Sequence, residues 1–193
     1  MSYPDVMVDI ETTGTRPEMT AIIQIAAVKF SLAEGTVGHK FFDQSLMIPP
    51  SRFWDEGTRE WWLSDKADIL QGIYSRMRDP KTVLEEFVAW VNDERDFSQP
   101  LRFWSKPTSF DFAFISSYLH DFELGNPFHF REATDMNSWI RSRFFPEDAP
   151  PIEKELDFVG DAHNALQDTL HQVKVLFEAY ARRLIPLSQV SLA

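Results

Sequence analysis

The stretch that decides the fold is Val6-Met7-Val8-Asp9-Ile10-Glu11-Thr12-Thr13-Gly14, close to the start of the chain. Its apolar first residues indicate a buried strand, and a Thr-Thr-Gly turn follows the second acid. Residues two apart on a strand leave the same face, so Asp9 and Glu11 can converge on one cation. If the strand instead ended at Val8, both acids would lie in a solvated turn, and the sequence leaves both cases open.

The composition narrows the class of protein. The chain has 193 residues, 44% hydrophobic and 25% charged, which predicts one globular domain over residues 1–193. The absence of cysteine excludes disulfide scaffolds, thiolate zinc sites and cysteine nucleophiles. The N-terminus lacks the pattern of a signal peptide, so we expect a cytoplasmic location.

The net charge and the longest apolar run limit how the protein can bind nucleic acid or a membrane. A net charge of −11 argues against a surface that holds nucleic acid by charge alone, unless bound cations neutralise the protein's own carboxylates. The most apolar run covers residues 21–28 and is interrupted by Gln24, so it is too short to cross a membrane.

The predicted elements alternate in the manner of an α/β protein. Three leading strands at residues 3–11, 21–30 and 38–47 indicate an antiparallel meander, and a short strand follows at residues 101–104. Helices are predicted after a cap at Thr58, at residues 66–78, from Asp79-Pro80, and at residues 109–120, 134–144 and 161–184. This order favours a mixed α/β sheet covered by helices.

Three further titratable residues lie near predicted helix starts. Asp111 lies in the first turn of a helix rich in phenylalanine, where the helix dipole alone favours an acid. His163 and Asp168 open the last helix, and a separation of five residues turns them apart by about 140°. Each residue taken singly fits an ordinary surface or capping role. Together with Asp9 and Glu11, they offer the oxygen ligands that magnesium or manganese prefers, and one base with an ordinary pKa of about 6.5.

The ordered set Asp9-Ile10-Glu11-Thr12-Thr13-Gly14, Ser109-Phe110-Asp111 and His163 with Asp168 resembles the DEDDh 3'-5' exonucleases of the ribonuclease-H-like superfamily. The likeness covers about residues 4–180. A closer likeness is to phage-type exonucleases of the DexA and exonuclease VIII-like kind, whose tryptophan segment resembles Thr58-Arg59-Glu60-Trp61-Trp62. For a phage-encoded protein the expected location is the cytoplasm of the host.

The resemblance implies a ribonuclease-H-like mixed sheet with antiparallel first strands and flanking helices. It also implies that two divalent cations, Mg2+ or Mn2+, bind to four carboxylates and that His163 is the general base; the carboxylates are those of Asp9, Glu11, Asp111 and Asp168. It places Thr12 and Thr13 against the terminal nucleotide. Asp135 resembles an aspartate of the phage-type enzymes, although its neighbours depart from their pattern.

The expected activity is metal-dependent hydrolysis of single-stranded DNA or RNA 3' ends to nucleoside 5'-monophosphates, with DNA favoured by the likeness to phage enzymes. The alternatives are an exoribonuclease of the same family, a related endonuclease, and a nucleic-acid-binding module that has lost turnover. Trp61 and Trp62 either stack on a terminal base or pack into the core. The sequence does not set the oligomeric state, and a homodimer is among the states that it allows.

Overall fold

A computed structural model of the protein describes residues 3–143, 152–160 and 162–182. The strands are β1 Asp5–Thr12, β2 Ile22–Ser31, β3 Thr36–Val37, β4 Phe42–Leu46, β5 Met77–Arg78, β6 Arg102–Ser105 and β7 Ala133–Asp135. The helices are α1 Glu56–Asp65, α2 Ala67–Tyr74, α3 Pro80–Asn92, α4 Thr108–Asp121, α5 Met136–Arg141, α6 Ile152–Glu155 and α7 Ala165–Arg182, with a short 3-10 turn at Phe130–Glu132.

A mixed sheet runs through the middle of the fold. Its strand order is β5-β4-β2-β1-β6-β7, and β3 pairs with β2. Strand β2 is antiparallel to β1 and β4, whereas β6 is parallel to both β1 and β7. The mixed sheet with an antiparallel leading meander is therefore confirmed, and β1 lies near its centre.

The alternation of side chains along β1 decides what each face of the sheet covers. Val6, Val8 and Ile10 face a core built with α3 and α4, while Met7 packs in a second core with α7. Because Asp9 and Glu11 share the face of Met7, they point toward α7. Among the residues that the structure describes, no helix is both long enough and apolar enough to span a membrane.

Two predicted elements in the first half of the chain are corrected. Helix α1 is capped by Asp55, whose side chain accepts the amide of Thr58 at 3.1 Å, rather than by Thr58 itself. The helix predicted over residues 66–78 ends at Tyr74, because Met77–Arg78 pair with β4 as a parallel strand. Local apolar spacing did not reveal this pairing, which depends on a distant strand.

Three more predicted boundaries shift. The third long strand is shorter than residues 38–47 and covers only Phe42–Leu46. The helix predicted from residue 134 begins at Met136, because Ala133–Asp135 form β7 against β6. The last helix begins at Ala165. Its predicted ends at residues 161 and 184, and residue 144 of the preceding helix, lie outside the described residues.

Candidate active site

The two acids of β1 lie on an intact strand. Strand β1 continues through Thr12, and Glu11 is still paired with Gln24 of β2. The register then shifts by one residue between Glu11 and Thr12. The alternative in which both acids follow the end of the strand is therefore excluded, and Asp9 and Glu11 leave the same face.

Asp168 meets these two acids from the first turn of α7. One carboxylate oxygen from each of Asp9, Glu11 and Asp168 lies within 4.8 Å of the others, and all three residues are half-buried. Oxygen atoms at such mutual distances can bind one divalent cation together. The packing of α7 on the sheet thus brings Asp168 to residues more than 150 positions earlier in the chain.

Asp111 approaches from the opposite layer, in the first turn of α4. Its side chain is only 3% exposed, so it is not a surface residue that merely offsets the helix dipole. Strand β6 pairs with β1 only as far as Met7, and the Oδ1 atom of Asp111 accepts the amide of Ile10 at 3.2 Å beyond that point. Asp111 is not within the 4.8 Å group, yet its charge acts on Asp9 and Glu11.

The burial and mutual repulsion of these carboxylates favour a bound cation. Loss of hydration raises the pKa of Asp9 and of Glu11 well above the ordinary values, and repulsion from the other carboxylates raises both pKa values further. Burial likewise raises the pKa of Asp111 to about 7 and raises the pKa of Asp168. Lys106 partly opposes the rise at Asp9 and Asp168, but it also pairs with Glu153.

A divalent cation fits this set of residues. Four crowded carboxylates without matching positive charge are unfavourable in the metal-free protein, and a bound cation offsets the repulsion that acts on Asp9 and Glu11. Oxygen-only ligands suit magnesium or manganese. Asp9, Glu11 and Asp168 are the residues best placed to hold an ion, with Asp111 beside them.

His163 lies at the edge of the cluster, just before α7 begins. Its backbone has a φ of 70°, a left-handed conformation that histidine adopts more readily than most residues. Its amide donates to Oδ2 of Asp168 at 2.8 Å, and its ring packs edge-on against Trp61 at 4.9 Å. Burial, and then the charge of Lys66, lower the pKa of His163, and Asp168 opposes this shift.

The two tryptophans of α1 have different surroundings. Trp61 is 37% exposed beside His163, so its ring is accessible to a ligand. Trp62 is 1% exposed, packs with Ile23 and Leu70, and donates from Nε1 to the carbonyl of Thr12 at 3.1 Å. Trp62 is therefore a core residue, and Trp61 is the member of the pair whose ring a nucleic-acid base can reach.

The threonines after Glu11 are held inside the protein. The Thr12 hydroxyl donates to the carbonyl of Gly14 at 2.7 Å. The fully buried Thr13 hydroxyl donates to the carbonyl of Phe53 and accepts the amide of Ala21, both at 2.7 Å. These side chains shape the turn in this structure, so a substrate contact through the Thr13 hydroxyl would require these bonds to break.

Asp135 caps two helices. Its Oδ1 accepts the amide of Ser138 at the start of α5, and its Oδ2 accepts the amide of Thr108 at the start of α4. Because Asp111 lies in the first turn of α4, Asp135 helps to set the position of that carboxylate. This local role accounts for an acid whose sequence context was ambiguous.

Two glutamines at the site were not singled out from the sequence as functional. Gln172 donates from Nε2 to Oδ1 of Asp9 at 2.8 Å. Gln24 is fully buried and donates to Asp43 at 2.8 Å, while its oxygen accepts the amide of Ala165 at 3.4 Å. Two features of the sequence could have indicated them. Gln172 is a polar residue one helical turn after Asp168, and Gln24 is a polar residue within the most apolar strand.

The central mixed sheet, with carboxylates arriving from β1, α4 and α7, defines a class of enzyme. The fold is that of the ribonuclease-H-like DEDD exonucleases. The chain belongs to the family of the 3'-5' exoribonuclease Rv2179c-like domain, whose sequence model matches residues 4–180. The protein is thus a 3'-5' exonuclease with the DEDD fold.

Solved structures support the fold. S. pombe Pop2p in its Mg2+- and Mn2+-bound form has a TM-score of 0.65 at 14% identity, over 95% of this chain and 86% of that one. The nuclease domain of 3'hExo, a DEDDh member bound to rAMP, has a TM-score of 0.67 at 14% identity, over 93% of both chains. E. coli exonuclease I in complex with single-stranded DNA has a TM-score of 0.62 at 12% identity, and the match spans 40% of its length.

These comparisons change one expectation about the family. No curated protein sequence is detectably similar to this chain. The narrower likeness to phage-type exonucleases is not supported, and the family that matches is named for RNA rather than DNA. The preference for DNA drawn from the phage likeness therefore loses its basis.

Proposed function

We propose that this protein is a metal-dependent exoribonuclease that removes nucleoside 5'-monophosphates from the 3' ends of single-stranded RNA. The observation that carries the proposal is the convergence of Asp9, Glu11 and Asp168 within 4.8 Å, with buried Asp111 alongside. The RNA substrate is supported by the name of the matching family and by the rAMP bound to the similar 3'hExo domain.

The carboxylates provide the binding site for two divalent cations, Mg2+ or Mn2+. When bound, such ions supply Lewis acids for the attacking and leaving oxygens of a phosphodiester. Asp9 and Glu11 are held rigid by the paired strand β1, and Asp111 is fixed by its bond to the Ile10 amide. This rigidity lets the residues present their charges without reorganisation during the reaction.

His163 is the proposed general base. The lowered pKa keeps its imidazole neutral near pH 7, so the ring can accept a proton from the attacking water. The bond from its amide to Asp168 ties the backbone of the base to a metal-binding carboxylate. Contact with Trp61 restricts the ring, and the exposed part of Trp61 is suited to stack on the terminal base without reading its identity.

The test compares RNA and DNA oligonucleotides of one sequence, each labelled at the 5' end, in the presence of Mn2+. We expect a ladder of 3'-shortened RNA, slower or absent shortening of DNA, and release of nucleoside 5'-monophosphates. The Asp168→Asn variant is the control for contaminating nucleases. Equal or faster hydrolysis of DNA would refute the assignment to RNA.

A blocked end separates the remaining alternatives. An exonuclease should stall at a 3'-terminal phosphorothioate, whereas an endonuclease should still cut within the strand. A binding module without turnover would be stabilised by Mn2+ and leave every oligonucleotide intact.

A further inference from the structure

Gln172 is a buried polar residue that contacts the carboxylate cluster but is neither a metal-binding carboxylate nor the general base. It lies on α7 one turn after Asp168, so the two side chains share a helix face. Gln172 is 8% exposed, and its Nε2 donates to Oδ1 of Asp9 at 2.8 Å. Helix α7 thereby donates a hydrogen bond to β1, next to the point where Asp168 approaches Asp9 and Glu11.

A neutral amide donor suits this position. Its Nε2 bonds to one oxygen of the Asp9 carboxylate and adds no net charge to the site, so it can orient the carboxylate without replacing a cation. Because the amide is held within packed helix α7, the bond also restricts rotation of the Asp9 carboxylate. A lysine would supply a donor too, but its positive charge would compete with a metal ion.

The other end of the same amide is unsatisfied. The buried Oε1 of Gln172 has no hydrogen-bond partner among the described residues. Buried polar atoms in native proteins are nearly always paired, so an orphan acceptor beside a carboxylate cluster points to a donor from outside the chain. Water that accompanies a hydrated divalent cation is such a donor.

We propose that Gln172 is a positioning residue that orients Asp9 for divalent metal and accepts a hydrogen bond from water held at the site. The proposal rests on the proposed function only in taking the carboxylates as a metal site. It predicts that Gln172 contributes to metal affinity, beyond any contribution to the packing of α7. Partners that orient metal ligands are commonly worth about 10–100-fold in affinity.

The test measures Mn2+ affinity by isothermal titration calorimetry on the full-length, metal-stripped protein. Gln172→Met keeps a similar length and removes both the donor and the acceptor, and we expect its affinity to fall by about 10–100-fold. Gln172→Asn keeps the amide but shortens its reach, and we expect a smaller loss in the same direction. Circular dichroism melts establish that each variant is folded at the titration temperature.

Thr169→Val is the matched control on the same helix. Thr169 is fully buried, and its hydroxyl donates to the carbonyl of Ala165 within α7 rather than to the cluster. We expect Thr169→Val to keep parental Mn2+ affinity. If it loses as much affinity as Gln172→Met, the effect comes from helix packing and the proposal is overturned.

The remaining outcomes separate this proposal from the proposed function. Parental affinity in Gln172→Met, or no Mn2+ binding by the parent protein, would overturn the role of Gln172. A parent that binds Mn2+ but leaves RNA intact would refute the exoribonuclease assignment, and the affinity comparison would still decide Gln172. Hydrolysis of RNA by the parent, together with weaker Mn2+ binding by Gln172→Met than by the parent and by Thr169→Val, supports both proposals.

Discussion

Replacing Asp111 by asparagine should make the metal-free protein more stable. The substitution removes one charge from the cluster and keeps an oxygen that can accept the amide of Ile10. Because burial raises the pKa of Asp111 to about 7, keeping this carboxylate ionised above pH 7 costs folding free energy. Asparagine avoids this cost at every pH.

The size of the effect follows from the pKa. A rise from the ordinary value of 3.8 to about 7 corresponds to about 4 kcal/mol when the group is fully ionised. Water entry and relaxation of the neighbouring acids reduce this cost, so we expect a gain of about 1–3 kcal/mol. For a chain of this size the melting temperature should rise by about 2–12 °C.

The dependence on pH has a definite sign. The folded-state pKa of Asp111 lies above its unfolded value, so the parent protein loses stability as the pH rises from about 4 to about 7. The advantage of Asp111→Asn should therefore be full at pH 8 and disappear near pH 4. Saturating Mn2+ at pH 8 should reverse the order, because the parent has the more complete set of ligands.

The assay is thermal unfolding followed by circular dichroism, in EDTA across this pH range and then in Mn2+. Asp79→Asn is a control at an exposed helix cap, where bonds from Thr82 lower the pKa of the carboxyl. It should bring no gain at pH 8. If Asp111→Asn is equal to or less stable than the parent in EDTA at pH 8, the reasoning about an uncompensated buried carboxylate is wrong.

Three further predictions concern the base, the aromatic contact and the metal. His163→Asn should slow RNA hydrolysis by about 10²–10⁴-fold and leave Mn2+ affinity nearly unchanged, because asparagine tolerates the left-handed backbone conformation at this position. An unchanged rate in single-turnover assays would rule out His163 as the base. Trp61→Ala should weaken RNA binding by about 1–3 kcal/mol in fluorescence anisotropy. Trp62→Phe should instead lower the melting temperature, because the hydrogen bond to the Thr12 carbonyl is lost. Weaker RNA binding in Trp62→Phe with unchanged binding in Trp61→Ala would contradict the roles given to the two tryptophans. EDTA should abolish hydrolysis. Mn2+ affinity measured by calorimetry should rise as the pH is raised through about 7, because Asp111 and the other carboxylates with raised pKa values must first lose their protons. Affinity independent of pH would count against these carboxylates as ligands.

Local sequence patterns were sufficient for the long elements. The apolar run before Asp9, the Asp79-Pro80 helix start and the stripe of the last helix each follow from neighbouring residues, and β1, α3 and α7 lie where these patterns indicate. The patterns were insufficient where a segment is defined by a distant partner. Met77–Arg78 and Ala133–Asp135 are strands only because β4 and β6 provide the hydrogen bonds.

The same distinction applies to the candidate site. By itself the sequence predicted which residues carry chemistry, because the set offers hard oxygen ligands and one histidine and its order resembles that of an exonuclease family. Only the tertiary structure decided that Asp9, Glu11 and Asp168 meet, that Gln172 bonds to Asp9, and that Trp62 is core while Trp61 is accessible. The physical reason is that convergence depends on strand register and helix packing between distant parts of the chain, which no local pattern encodes.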